Sequence, residues 1–291
     1  MKDIASCVSI ASSAEYDTII IYNRILQKKE DESMKKASLL VSLVILFCIS
    51  LSYVIDLYPF SKPVPKEKEA AARPQWIDTV EHQQLYHLVL GDSLAKGYGS
   101  QQGGYAGIAS HELQEKTKKE VYVDNIAVNG LMTDGLLYML ESEEIQQKIE
   151  KADIITISIG GNNLLRLNKN MGILEALNAV NDEKKNYQKD MEQILAMIRS
   201  HNEHAVIVLS ELYNPLKLED SVASYASVFI DRWNKTVYTL AKEHEPAVVL
   251  PVQKLLQDET DKLLYDKVHP NDKGYARIAD SFVKLLLSFK A

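Results

Sequence analysis

The chain has 291 residues, 46% of them hydrophobic, which is enough to bury a core of ordinary size and excludes a generally disordered polypeptide. A formal net charge of -7, from 33 basic and 40 acidic side chains, excludes a protein that works by neutralising phosphates, and no basic stretch interleaved with aromatic residues offers a nucleic-acid face. The two cysteines, Cys7 and Cys48, both precede residue 60, so no disulfide joins the long remainder, which is large enough to fold without one.

Residues 37–55 contain no charged side chain and are strongly apolar. A hydrocarbon core of roughly 30 Å takes about 20 helical residues to cross, and this run is close to that length. Lys35 and Lys36 stand directly before it and Asp56 directly after it, so by the positive-inside tendency the N-terminus stays cytoplasmic and the rest faces outward. A cleaved signal peptide would end in a small-x-small site, and none is evident before Tyr58. A lipoprotein leader ending at Cys48 would need a small residue where Phe47 stands. The expectation is therefore an uncleaved single-pass anchor at the cell membrane with an extracellular domain. Met34-Lys35-Lys36 also resembles a translation start with a basic region, so residues 1–36 read as a cytoplasmic tail or an upstream extension. Residues 56–83, with Pro59, Pro63 and Pro65 before a Lys/Glu run, read as a semi-rigid polar linker.

From residue 84 to 291 short apolar runs alternate with longer stretches of helical spacing, the pattern of βαβ units. Strands are expected at 86–90, 121–125, 153–159, 205–210 and 247–250. Helices are expected at 106–118, 133–151, 176–199, 225–243 and 271–289. The fold class is α/β, three layers of the α/β/α type around a mainly parallel five-stranded sheet. In such sheets ligands bind beyond the carboxyl ends of the strands. Four segments then stand out: Gly91-Asp92-Ser93-Leu94 after the first strand, Asn125 to Gly130 after the second, Gly160-Gly161-Asn162-Asn163 after the third, and Asp266 to Pro270 after the fifth.

A serine after a strand is more often a helix N-cap than a nucleophile. The Asp266-x-x-His269-Pro270 segment changes that balance, because it places a carboxylate and an imidazole three residues apart, close enough to meet within one turn of chain. A serine hydroxyl needs an adjacent base to take its proton, and that base needs a third group to hold its tautomer. Ser93, His269 and Asp266 supply those roles. His82 and His87 flank the first strand, His111 lies on an expected helix, and His201, His204 and His244 border helix ends, none of them with a carboxylate in a comparable setting. No metal-ligand spacing occurs, and no metal or cofactor is expected.

Taken in order, Gly91-Asp92-Ser93-Leu94, Gly130, Gly160-x-Asn162 and Asp266-x-x-His269-Pro270 resemble the blocks of the SGNH/GDSL hydrolase family over residues 84 to 290. The resemblance implies a flavodoxin-like sheet, Ser93 as nucleophile, and an oxyanion hole formed by the backbone N–H groups of Ser93 and Gly130 with the Asn162 side-chain amide. Such donors are needed because a tetrahedral intermediate puts negative charge on the former carbonyl oxygen. One departure stands at Asn163, where the family often has aspartate. Leu94, Leu131, Met132, Leu164 and Leu165 follow these blocks as candidate acyl-pocket or core residues. The expected activity is that of a serine esterase on a small-molecule, lipid or glycan ester. An acyltransferase on envelope sugars, and a silent glycan- or lipid-binding module, are the alternatives.

Overall fold

The computed structural model of the chain describes residues 75–167, 173–215, 220–257 and 260–290. The expected anchor at 37–55, the segment before it and the linker up to residue 74 lie outside the described residues. Among the described residues no helix is long and apolar enough to cross a membrane.

Strands β1 (Gln84–Gly91), β2 (Glu120–Asn125), β3 (Ile154–Ser158), β4 (Val206–Ser210) and β5 (Ala247–Leu250) form one parallel sheet in the order β2-β1-β3-β4-β5. All five coincide with the expected apolar runs. In β3 and β4 every residue is buried, because both faces of the sheet are covered there, whereas the edge strand β2 has no buried residue. Leu85 and Val89 face one layer, which includes Tyr105, Ala109, Ile278 and Phe282; Leu88 and Leu90 face the other, with Ile194, Ile198, Trp233 and Val237. The strand order reverses at β1, whose neighbours are β2 and β3. Chains leaving β1 and β3 therefore diverge around a crevice at their carboxyl ends, the usual ligand position of an open α/β sheet.

The helices are α1 (Trp76–Thr79), α2 (Ser93–Lys96), α3 (Gly104–Thr117), α4 (Thr133–Met139), α5 (Glu143–Lys151), α6 (Gly161–Leu165), α7 (Ile173–His201), α8 (Asp220–Glu243), α9 (Val252–Gln257), α10 (Thr260–Leu263) and α11 (Asp272–Ser288). Most boundaries lie within a few residues of the sequence expectation, and two departures are larger. The single helix expected over 133–151 is broken into α4 and α5. Ser142 adopts an extended conformation before Glu143 and Glu144, residues that suit a helix first turn, and the Gln146 side-chain amide donates to the Leu140 carbonyl at 3.0 Å. The folded part also begins before residue 84. Trp76 and Ile77 of α1 are buried in the core, and the Trp76 N–H donates to the Phe289 carbonyl at 2.8 Å, so the last part of the expected linker belongs to the domain.

His87, expected at the edge of the first strand, lies inside β1 and is fully buried, stacked on Phe282 at 5.3 Å. Its Nε2 meets Thr156 Oγ1 at 2.6 Å and its Nδ1 has no partner. Burial holds its pKa down at about 3 against an ordinary 6.5. Because the folded value lies below the unfolded one, the unfolded chain binds more protons between them. The corresponding stability is complete above pH 6.5 and is lost as pH falls toward 3. Burial pushes the pKa of Asp92 up to about 7, with opposite sign, so the test compares two proteins that both keep Asp92. Between pH 7 and 5 the urea unfolding free energy of the wild type should fall by on the order of 2 kcal/mol more than that of His87→Gln. Parallel pH dependences would remove His87 as the cause.

Candidate active site

The segment after β1 is shaped by Gly91. Its φ is 125°, and a Cβ there would stand 1.9 Å from the Ser158 carbonyl oxygen, so no side chain fits where β1 and β3 come together. Asp92 follows in extended conformation, donates its N–H to Ser158 O at 2.9 Å and accepts the Leu94 N–H on Oδ1 at 3.0 Å. Asp92 thus caps α2 and is buried, while Ser93 begins that helix half-exposed at the crevice. A helix-capping residue is indeed present, but it is Asp92, which leaves the Ser93 hydroxyl available.

That hydroxyl is 2.8 Å from His269 Nε2, and His269 Nδ1 is 2.8 Å from Asp266 Oδ2. The Asp266 Oδ1 accepts the backbone N–H groups of Val268 and His269, each at 2.7 Å. Partial desolvation by itself would raise the Asp266 pKa; the His269 backbone N–H, its imidazole and the Val268 N–H outweigh it and bring the value down to about 2. The carboxylate is therefore ionised across the neutral range. It favours a proton on Nδ1, which leaves the Nε2 lone pair facing the Ser93 O–H. Contrary to expectation, the 266–270 loop does not directly follow β5. Helices α9 and α10 intervene, and the loop is closed by a bridge between Leu264 and Pro270 and by Tyr265 N–H to His269 O at 2.7 Å. Asn271 then caps α11, accepting from Lys273 and Gly274 N–H.

Gly130 occupies a turn closed by the Leu131 N–H on Val128 O at 3.1 Å, with φ 80°. A Cβ there would meet nothing within 4 Å, so the positive φ is what favours glycine. The turn is tied to the segment that carries Ser93, since the Val128 N–H donates to Gly91 O at 2.9 Å. On α6, Asn162 Nδ2 donates to Leu131 O at 3.0 Å, which fixes the amide and leaves its second N–H for another acceptor. Ser93, Gly130 and Asn162 thus come from the ends of different strands onto mutually tied segments. Among the apolar candidates, Leu94 is core, Leu131 and Leu164 pack partly buried against the other core layer, Met132 is half-buried and Leu165 is exposed.

With this geometry the comparisons agree. Residues 89–277 match the GDSL-like Lipase/Acylhydrolase family. The chain belongs to that family. It is 31% identical over 201 residues to the Bacillus subtilis protein YpmR, covering 66% of this chain and 79% of that one. It is 28% identical over 205 residues to the spore germination lipase LipC of Bacillus licheniformis, covering 67% and 93% respectively. The crystal structure of the lipase Lip_vut3 from a goat rumen metagenome superposes with a TM-score of 0.61 at 26% identity, over 68% of this chain and 95% of that one. The protein is accordingly an ester-bond hydrolase with the fold of its family.

Several contacts around the site had no signal in the sequence. The Tyr98 ring lies against His269 with centroids 4.6 Å apart, and Tyr265 meets Tyr98 edge-on at 6.2 Å. The Tyr213 hydroxyl donates to Val268 O and steadies the histidine loop from the segment after β4. Two histidines do have a carboxylate partner that the sequence did not disclose: His201 Nδ1 is 3.5 Å from Glu150 Oε1, and His82 Nε2 is 2.8 Å from Asp153 Oδ1. The His82–Asp153 pair lines a cavity of about 720 Å³ with Trp76, His204, Glu245 and Phe289. The cavity opens at the amino ends of the strands, away from Ser93, and holds no serine. Among the described residues no cluster of three or more His, Cys, Asp or Glu side chains could hold a metal ion.

Proposed function

We propose that the protein is a membrane-anchored serine esterase that cleaves carboxylic esters of the cell envelope, lipid acyl or O-acyl groups, through an acyl-Ser93 intermediate. The observation that carries the chemistry is the unbroken hydrogen-bonded chain from Ser93 Oγ through His269 to Asp266. Ser93 Oγ attacks the ester carbonyl carbon as His269 Nε2 takes the hydroxyl proton. The bond to the alcohol then breaks, and the alcohol leaves with that proton. Water, deprotonated by the same imidazole, attacks the acyl carbon, releases the acid and restores Ser93. The Ser93 and Gly130 N–H groups and the free N–H of Asn162 receive the oxyanion in both steps. The lipase names of LipC and Lip_vut3 support an acyl ester as substrate.

The uncharged run at 37–55, with Lys35 and Lys36 before it, supports an anchor that leaves the hydrolase domain outside the cell. One measurement addresses nucleophile and orientation together. A membrane-impermeant fluorophosphonate added to intact cells expressing the full chain should label it, and Ser93→Ala should abolish labelling. Labelling confined to lysed cells would reverse the orientation. Failure to label in both would remove the activated serine.

A further inference from the structure

We infer that Asn163 is a positioning residue that locks the two halves of the oxyanion hole together, and that Glu183 is the reason an amide stands there in place of a carboxylate. The inference rests on the oxyanion reading of Gly130 and Asn162. Asn163 is buried directly after Asn162 on α6. Its Oδ1 accepts the Thr133 N–H at 3.3 Å, and its Nδ2 donates to Thr133 Oγ1 at 3.1 Å and to Glu183 Oε1 at 2.7 Å. Thr133 begins α4 only three residues after Gly130, and two after Leu131, whose carbonyl holds the Asn162 amide. One side chain therefore ties the Asn162 helix to the Gly130 turn and both to α7.

A count of protons shows why the side chain must be an amide. The single Thr133 hydroxyl proton goes to Asp190 Oδ2 at 2.6 Å, so Thr133 Oγ1 can only accept from residue 163. Glu183 is buried and ion-paired with Arg166 at 3.3 Å, and it too presents an acceptor to residue 163. Both protons of the Asn163 amide are taken, one by each. An ionised aspartate would supply neither and would set a third carboxylate beside Glu183 and Asp190, a like-charge contact that costs stability in a buried site. The departure from the aspartate common in the family is thus matched by Glu183, twenty residues further on.

The test measures kcat, KM and thermal midpoint with p-nitrophenyl acetate for Asn163→Asp, Asn163→Asp/Glu183→Gln and Thr133→Val, with Asn162→Ala in parallel. Asn163→Asp should lower kcat by about 10–100-fold with KM changed less than about twofold, because the donors are displaced and not removed. Adding Glu183→Gln, which offers its own N–H to the new carboxylate, should recover about tenfold of that loss. A merely structural role would lower the thermal midpoint without this rescue of kcat. Thr133→Val, which is isosteric and introduces no charge, should lower kcat by about tenfold at constant KM. A folded Asn163→Asp with wild-type kcat, a loss that Glu183→Gln does not relieve, or a wild-type kcat in Thr133→Val would each overturn the inference. Asn162→Ala separates the two readings: it should lose about 10²–10³ in kcat, and full activity there would overturn the oxyanion hole itself.

Discussion

Ser93→Ala is expected to lower kcat for p-nitrophenyl esters by about 10⁶, to the level left by binding and oxyanion donors alone. The substitution deletes the atom proposed to form the acyl bond and disturbs little else. Asp92, which caps α2, and Gly91, which lets β1 approach β3, remain in place, so the thermal midpoint should stay within a few degrees. Esters of increasing acyl length, run with and without sugar acceptors, would place the acyl preference and show whether water or a sugar hydroxyl takes the acyl group. A transferase would yield acylated sugar at the expense of free acid. Residual hydrolysis within about tenfold of wild type in a folded Ser93→Ala protein would displace the covalent mechanism.

Asp266→Asn should cost about 10⁴ in kcat, for a reason that lies in the backbone of its own loop. The Val268 and His269 N–H groups both point at Oδ1 at 2.7 Å, and they demand an acceptor there. An asparagine can satisfy them only with its carbonyl oxygen, which turns its NH₂ toward His269 Nδ1. Nδ1 then has to accept, the imidazole proton moves to Nε2, and Nε2 donates across the 2.8 Å gap to Ser93 Oγ with no lone pair left to take the hydroxyl proton. The base is lost while the loop keeps its shape. Labelling by a fluorophosphonate should slow in proportion to kcat. A folded Asp266→Asn protein with kcat within about tenfold of wild type would mean that the carboxylate does not set the tautomer.

The sheet and half of the site are local properties of the chain. Strands covered on both faces require uninterrupted apolar runs, so β1, β3 and β4 can be read without knowing their partners. The Asp266–His269 contact spans three residues and is closed by backbone N–H groups in the same loop. Gly130 follows Asn129, a pair typical of turns, and has the positive φ such a turn needs. Because motif order along a βαβ chain maps onto the strand ends, the segments that hold Ser93, Gly130 and Asn162 could be assigned to one crevice before any distance was known, while the choice of Gly130 and Asn162 within them followed from the family resemblance.

What the tertiary structure alone decided depends on groups far apart in sequence or on burial that composition does not reveal. The Ser93–His269 hydrogen bond joins residues 176 positions apart. Trp76 and Ile77 sit beside a Pro-rich, charged stretch and read as linker until the Phe289 carbonyl receives the Trp76 N–H. His87 looked like a strand-edge histidine because its neutral, buried state is imposed by Phe282 and Thr156 from α11 and β3. Asn163 showed in the sequence only as a departure from a family pattern. Its reason lies with Glu183 and Asp190 on α7, since a hydrogen-bond network assigns donors and acceptors only once its members have been brought together.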